Sequence, residues 1–95
     1  MKRTNAYAPD YATHPGEVLA EELAERGLLQ ADLCRATGYT AKHVNQVIKW
    51  KAAIGPAFAV ALERALDGPS AQFWLNMQAA RHLHEYRAGR SLDVS

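Results

Sequence analysis

Apolar residues recur at intervals of three or four along most of this chain, and no segment shows the strict apolar and polar alternation of a half-buried strand. Helix start and stop signals divide this pattern into five segments. The first begins at Pro15, because proline suits the first helical position, and ends before Gly27. It carries Val18, Leu19 and Leu23 on one face. The expected fold class is therefore all-α, with five helices around a single core.

The second and third helices are predicted to be short and to be joined by a glycine turn. The second runs from Gln30 to Ala36, and Gly38 then supplies the left-handed backbone conformation of a tight turn. Thr40 is the expected N-cap of the third helix, which runs from Ala41 to about Lys49. Its apolar side carries Val44, Val47 and Ile48, and its opposite side carries Lys42, Asn45, Gln46 and Lys49.

The fourth helix is predicted to follow Gly55 and Pro56, and the fifth to run from its Ser70 cap to about Tyr86. Two apolar stripes lie on the fifth helix: Phe73, Met77 and Ala80 with Trp74 at their flank, and Leu75, Ala79 and Leu83. The core of one small domain covers one stripe, so we expect the other to pack against a second copy of the chain. A fifth helix buried on both sides by its own chain is the alternative. The residues expected in a homodimer interface are Phe73, Trp74, Leu75, Ala79 and Leu83.

The charges along the chain are unevenly distributed, although the net charge of the 95 residues is only +1. From Glu17 to Asp32 there are five acidic residues and one arginine. Between Leu33 and Leu62 no acidic residue occurs, and the basic residues there are Arg35, Lys42, Lys49 and Lys51. We therefore expect a positive surface patch of the kind that binds phosphates.

Several classes of function are not supported by the sequence. Cys34 is the only cysteine, which excludes an intrachain disulfide and a cysteine-based zinc site, and we expect it to be a small core residue. Neither a signal peptide nor a membrane-spanning segment is recognisable, so a cytoplasmic location is expected. No Ser/His/Asp arrangement, glycine-rich phosphate loop or paired-carboxylate pocket indicates an enzyme, and neither a cofactor nor a metal is expected.

The two short central helices match the requirements of a helix-turn-helix, in which the second helix enters the DNA major groove. Amides such as Asn45 and Gln46 can make paired hydrogen bonds to a base edge, and lysines can bind guanine or phosphate. The alternative is an ordinary solvated helix face. The lack of acidic residues between positions 33 and 62 favours DNA.

The segment from Gln30 to Ile48 resembles the helix-turn-helix of lambda-repressor-like (Xre/Cro) proteins, whose pattern has Gln, Leu-Ala, Gly and then Ser or Thr before the recognition helix. Two flanking segments, His14-Pro-Gly-Glu-Val-Leu and Phe73-Trp-Leu-Asn-Met-Gln, resemble the two signatures of HigA-type antitoxins. The resemblance covers about residues 14–86. It departs from the family where Lys49-Trp50-Lys51 replaces the usual Asn-Gly, so Trp50 is interpreted either as a packing residue or as a wedge into DNA.

The resemblance implies an antitoxin that neutralises a RelE- or HigB-like ribonuclease toxin and, as a dimer, binds double-stranded operator DNA to repress its own operon. A stand-alone repressor without a toxin is the alternative, and a helical bundle that binds only proteins is another. The DNA-contacting residues are expected to be Gln30 and Thr40 at phosphates, Ala41, Lys42, His43, Asn45 and Gln46 at bases, and Lys49 and Lys51 in the basic patch.

A ribonuclease toxin must be basic to hold RNA, so the acidic side of the first helix is the expected toxin-docking surface, together with the N-terminal arm. The acidic residues concerned are Glu21, Glu22 and Glu25. The expected organisation is an arm at 1–13, a helix-turn-helix domain with a dimerisation helix at 14–87, and a tail at 88–95.

Overall fold

The computed structural model describes the backbone of residues 13–94 and the side chains of residues 13–88. The predicted N-terminal arm therefore lies, apart from residue 13, outside the described residues. The described part contains five helices and no strand, which confirms the all-α prediction. The helices are α1 (Pro15–Glu25), α2 (Gln30–Thr37), α3 (Ala41–Ile48), α4 (Pro56–Leu66) and α5 (Ala71–Val94).

The predicted helix boundaries follow local capping signals. Pro15 occupies the first turn of α1, and the Thr40 hydroxyl accepts a hydrogen bond from the His43 N–H at 3.1 Å, which caps α3. Ser70 caps α5 in the same way, by accepting from the Phe73 N–H at 3.1 Å. The far end of α5 differs from the prediction: the helix continues to Val94, since the single glycine at position 89 weakens a helix without ending it.

A single core joins all five helices. α4 packs on α2 and α5, while α1 packs on α3 and α5. The buried apolar side chains are Leu19, Leu23, Leu33, Val44, Val47, Ile54, Phe58, Ala59, Leu62, Leu66 and Trp74. α2 and α3 thereby each pack one face on the core, and the other face of each helix is accessible to solvent.

The position of Trp74 on α5 differs from the prediction. Its side chain is fully buried in the core of its own chain, so the prediction that it lies in a dimer interface is wrong. The inward-facing line of α5 contains Trp74 and Gln78, and it runs between the two predicted apolar stripes. A flanking tryptophan has the largest apolar surface on the helix, so its burial stabilises the fold more than that of its smaller neighbours.

Candidate nucleic-acid interface

The turn between α2 and α3 presents α3 to the surface. Gly38 adopts the left-handed conformation at φ +79°, as the sequence predicts, and its N–H donates to the Cys34 carbonyl at 2.8 Å. The Thr37 hydroxyl donates to the Leu33 carbonyl and accepts from the Tyr39 N–H. These hydrogen bonds pair backbone carbonyls at the end of α2, and they fix the direction in which the chain enters α3.

One side of α3 is buried and the other is accessible, as the pattern predicts. Val44 and Val47 are fully buried, whereas Asn45 and Gln46 are half-buried. The exposed predicted DNA contacts are Gln30, Thr40, Ala41, Lys42, Lys49 and Lys51. The structure thus brings most of the predicted contacts onto one surface that contains the start of α2 and the outer side of α3.

His43 takes a different orientation from the predicted base contact. Its ring lies 4.9 Å from the ring of Tyr39 and 4.9 Å from that of Phe58, where it packs edge to face. Its Nε2 atom is buried without a hydrogen-bond partner in the structure. We therefore interpret His43 as part of the packing between α3 and α4, and we assign it no contact to a base.

The end of α3 is an unusual feature of this chain. The Lys51 N–H donates to the Gln46 carbonyl at 2.7 Å, and the Trp50 N–H donates to the Val47 carbonyl at 3.1 Å. This pairing is a Schellman motif, whose left-handed position is normally glycine. Trp50 occupies that position with φ +68°, which costs a residue with a Cβ about 1–2 kcal/mol.

The side chain of Trp50 is held by two neighbours. The His14 ring stacks on it at a centroid distance of 4.7 Å and an interplanar angle of 4°, and the Arg81 guanidinium lies 5.4 Å from the indole centroid. Half of the Trp50 surface nevertheless remains exposed. These contacts favour the interpretation of Trp50 as a packing residue, because the indole joins the end of α3 to α1 and α5.

The His14-Pro15-Gly16 motif forms the start of α1. His14 Nδ1 accepts a hydrogen bond from the Gly16 N–H at 2.9 Å, so the imidazole is the N-cap of α1. A Cβ on Gly16 would lie 2.1 Å from the Val47 carbonyl oxygen, so only glycine permits this approach of α1 to α3. Burial, and then the nearby charge of Arg81, lower the pKa of His14. The sequence analysis missed both roles, although proline at the first helical position already indicated an N-cap at residue 14.

The acidic side of α1 is only partly available to a partner. Glu21 and Glu25 are exposed, but Glu22 pairs with Arg26. The same guanidinium donates to the carbonyls of Leu66 and Gly68 at 3.2 and 3.0 Å. Arg26 therefore ties α1 to the turn between α4 and α5, and Glu22 balances its charge.

The outer side of α5 carries the remaining predicted interface residues. Phe73 and Leu83 are 41% and 46% exposed, and Ala79 is also exposed, whereas Leu75 is half-buried against the core. Tyr86, which the sequence analysis did not single out as an interface residue, is 59% exposed near this face.

In the part of the chain that the structure describes, no helix is long and apolar enough to cross a membrane, and no cluster of three or more ligand-type side chains could hold a metal ion.

Solved structures with the same fold identify the relatives of this chain. It is 34% identical to the Pseudomonas aeruginosa antitoxin HigA solved with the higBA promoter, with 88% of this chain and 91% of that chain covered and a TM-score of 0.80. A P. aeruginosa protein in complex with its 28-bp operator DNA is also 34% identical, with 87% and 91% covered and a TM-score of 0.79. A Nostoc punctiforme protein assigned to the antidotes of a plasmid maintenance system is 26% identical, with 86% and 89% covered and a TM-score of 0.82. No protein-family model and no curated protein sequence matches the chain.

Proposed function

The chain belongs to the HigA-type antitoxins of the Xre/Cro helix-turn-helix family, and we propose from this that it represses transcription by binding operator DNA through α3. The observation that carries the proposal is the accessible side of α3, where Lys42, Asn45 and Gln46 lie on a stretch of the chain without acidic residues. HigA of P. aeruginosa, which has the same fold, was solved with promoter DNA. DNA recognition and regulation, rather than enzyme chemistry, are the activities this surface supports.

Operator binding by α3 is tested with two single variants. Gln46→Ala should weaken binding to the operator by about 1–3 kcal/mol and leave binding to random DNA nearly unchanged, because a base contact reads sequence. Lys51→Ala should weaken binding to operator and to random DNA alike, because a phosphate contact does not depend on the base sequence. It should also lower the slope of affinity against salt by about one. Fluorescence anisotropy at several salt concentrations measures both effects.

The control for these variants is Arg64→Ala, which removes an exposed cation from α4 at a site outside the predicted contacts. Its operator affinity should equal that of the wild type. A double Lys42→Ala, Gln46→Ala variant that still binds the operator with wild-type affinity would remove α3 from the interface.

The proposal includes a homodimer formed through the outer side of α5. Its support is the apolar surface left uncovered there, at Phe73, Ala79 and Leu83 with Leu75 at the edge. Two recognition helices on one side of the duplex require half-sites about 34 Å apart, or a multiple of that. Leu83→Glu should shift the protein to a monomer in sedimentation experiments, and it should weaken binding to the full operator more than binding to one half-site.

The proposal also includes neutralisation of a RelE-like ribonuclease toxin that docks on the acidic side of α1. Glu21 and Glu25 support this, since both are exposed and a toxin that holds RNA is basic. Reversing both to lysine should slow association with the toxin at low salt and leave operator binding intact. Glu22 is left unchanged in this variant because it pairs with Arg26.

A stand-alone repressor is the second candidate function. An antitoxin is expected to have a toxin gene beside its own, whereas a stand-alone repressor has none. Expression of that gene alone, and then together with this chain, separates the two: growth arrest that the chain reverses supports an antitoxin. The absence of growth arrest would leave repression as the function.

A further inference from the structure

A surface pocket lies where the start of α1, the end of α3 and the middle of α5 meet. Its volume is about 150 Å³, and at about 30 Å³ per water molecule it has room for several waters, and so for a phosphate group. Its polar and aromatic lining residues are His14, Trp50, Lys51, Gln78, His82 and Glu85. This space, called the junction pocket below, therefore adjoins the basic residues at the end of α3.

The first histidine of the junction pocket is held in a tautomer that leaves it one hydrogen to donate. His14 Nδ1 accepts from the Gly16 N–H at 2.9 Å, so the neutral ring carries its hydrogen on Nε2. Burial, and then the charge of Arg81, lower the pKa of His14, which keeps the ring uncharged near neutral pH. Only 6% of this residue is exposed, and a buried N–H needs an acceptor. A ligand in the pocket can supply that acceptor.

The tautomer of the second histidine follows from its neighbour on α5. Gln78 Oε1 accepts from the Ile54 N–H at 2.8 Å, so Gln78 Nε2 carries the hydrogens and donates to His82 Nε2 at 3.1 Å. The neutral His82 ring therefore carries its hydrogen on Nδ1. Because Gln78 is buried, this arrangement is fixed from within the core. His14 and His82 thus each offer one N–H group, from the start of α1 and from α5.

The charges around the junction pocket favour an anion. Lys51 is exposed and brings an ammonium group to the lining. The Glu85 carboxylate also lines the pocket, but it accepts from Arg81 Nε at 2.7 Å, so a guanidinium balances its charge. The positive charge of Lys51 therefore remains to attract an anion. An ammonium group together with two N–H donors is a set that can bind the oxygens of a phosphate.

The length of α3 brings the junction pocket close to the DNA backbone. An α-helix rises 1.5 Å per residue, so the eight residues of α3 span about 12 Å. The major groove is also about 12 Å wide, and phosphates line both of its edges. With the first turn of α3 at the bases, its last turn and Lys51 lie level with one edge of the groove.

We propose that the junction pocket binds one phosphate of the operator backbone through the His14 Nε2–H, the His82 Nδ1–H and the Lys51 ammonium group. This inference rests on the proposed DNA binding by α3 and deepens it, because it extends the contact surface from the helix-turn-helix to α1 and α5. A phosphate held in this way fixes the position of the protein along the duplex without reading a base.

A double-mutant cycle between His82 and the DNA phosphates tests the contact. The DNA is a duplex of one half-site in which a neutral methylphosphonate replaces each phosphate in turn, and fluorescence anisotropy at fixed salt measures affinity. His82→Ala should weaken binding to the unmodified duplex about tenfold, because a hydrogen bond to a charged group is lost. This loss should shrink to about twofold or less when one particular phosphate is replaced, and it should persist at every other position. His14 is left unchanged because it also caps α1.

The matched control is His84→Ala. His84 is also an exposed histidine of α5, but it lies on a different surface with Ala80, Leu83 and Arg87. Its substitution should change affinity by less than about twofold on every duplex. His82→Glu should weaken binding more than His82→Ala, because a carboxylate in the pocket repels the phosphate. Far-UV circular dichroism checks that all three variants fold.

A His82→Ala variant that binds the unmodified duplex like the wild type, or that loses the same affinity on every modified duplex, would overturn the inference and leave operator binding in place. NMR signals of the His14 and His82 rings that shift with inorganic phosphate alone, with no coupled position on the DNA, would also overturn it, because the pocket would then hold a free phosphate. A wild-type protein that binds operator and random DNA equally would instead overturn the proposed function, and the inference with it.

Discussion

The contact between Gly16 and the end of α3 predicts that Gly16→Ala destabilises the protein. The added Cβ would lie 2.1 Å from the Val47 carbonyl oxygen and 3.1 Å from that of Ile48. Real Cβ atoms essentially never come within 3.0 Å of another heavy atom, so the two helices must separate by about 0.9 Å. The Val47 oxygen belongs to the backbone, and no side-chain rotation can relieve the overlap.

The size of the effect is the difference of two terms. Overpacking of a tight contact costs about 1–3 kcal/mol, and the upper end applies because backbone opposes the new atom. The higher helix propensity of alanine offsets up to about 1 kcal/mol of this cost. The free energy of unfolding should therefore fall by about 2 kcal/mol, which corresponds to a loss of about 8–16 °C in Tm for a domain of this size.

Urea unfolding followed by far-UV circular dichroism measures this change. The matched control is Gly55→Ala, at the N-cap of α4, where φ is −93° and no atom lies within 4 Å of the new Cβ. The control should alter the free energy of unfolding by about 1 kcal/mol or less. If Gly16→Ala proved as stable as Gly55→Ala, the close approach of α1 to α3 would be refuted.

Three further predictions concern the side chains around this contact. Trp50→Gly removes the strained left-handed tryptophan and also its stack on His14. The strain costs about 1–2 kcal/mol and the stack contributes about 0.5–1.5 kcal/mol, so the free energy of unfolding by urea should change by about 1 kcal/mol or less. A loss above about 3 kcal/mol would show that the stack dominates. The pKa of His14 is lower in the folded state than in the unfolded state, so the unfolded chain binds a proton at His14 first as pH falls. The contribution of His14 to the free energy of unfolding is therefore complete above pH 6.5 and is lost as pH falls through the folded pKa. His14→Asn, which retains an N-cap acceptor, should show a shallower fall of the urea midpoint from neutral to acidic pH, and an unchanged slope would contradict the assignment. Arg26→Ala should cost about 1–3 kcal/mol in the same unfolding assay because two backbone carbonyls lose a donor, whereas Arg64→Ala should have no effect.

The helices and the candidate interface could be predicted because their signals are local. A period of three to four residues, a proline at the first helical position and a glycine after the last one all act within a single turn. Thr40 and Gly38 are examples, since the cap and the left-handed turn depend on neighbours no more than four residues away. The basic and amide-rich side of α3 follows from the same periodicity.

The orientation of single side chains could not be predicted in this way. His43 and Trp74 both look like exposed or flanking residues along their own helices, yet each turns inward because a neighbouring helix offers apolar surface there. Glu22 looks like one member of an acidic row, but it balances Arg26, which reaches carbonyls forty residues further along the chain. Such pairings depend on how the helices pack.

Local sequence signals predicted where each helix begins, where each helix except α5 ends, and which side of α3 is polar. The flanking motifs indicated the family to which the chain belongs. The packing of the helices was needed to show how α1 meets α3 through Gly16, how the His14 ring stacks on Trp50, and how Gln30 Oε1 accepts from Asn45 Nδ2 at 3.4 Å. Helix formation and capping are set by residues three or four positions apart, whereas these contacts join segments fifteen or more positions apart. Their geometry exists only once the core has assembled.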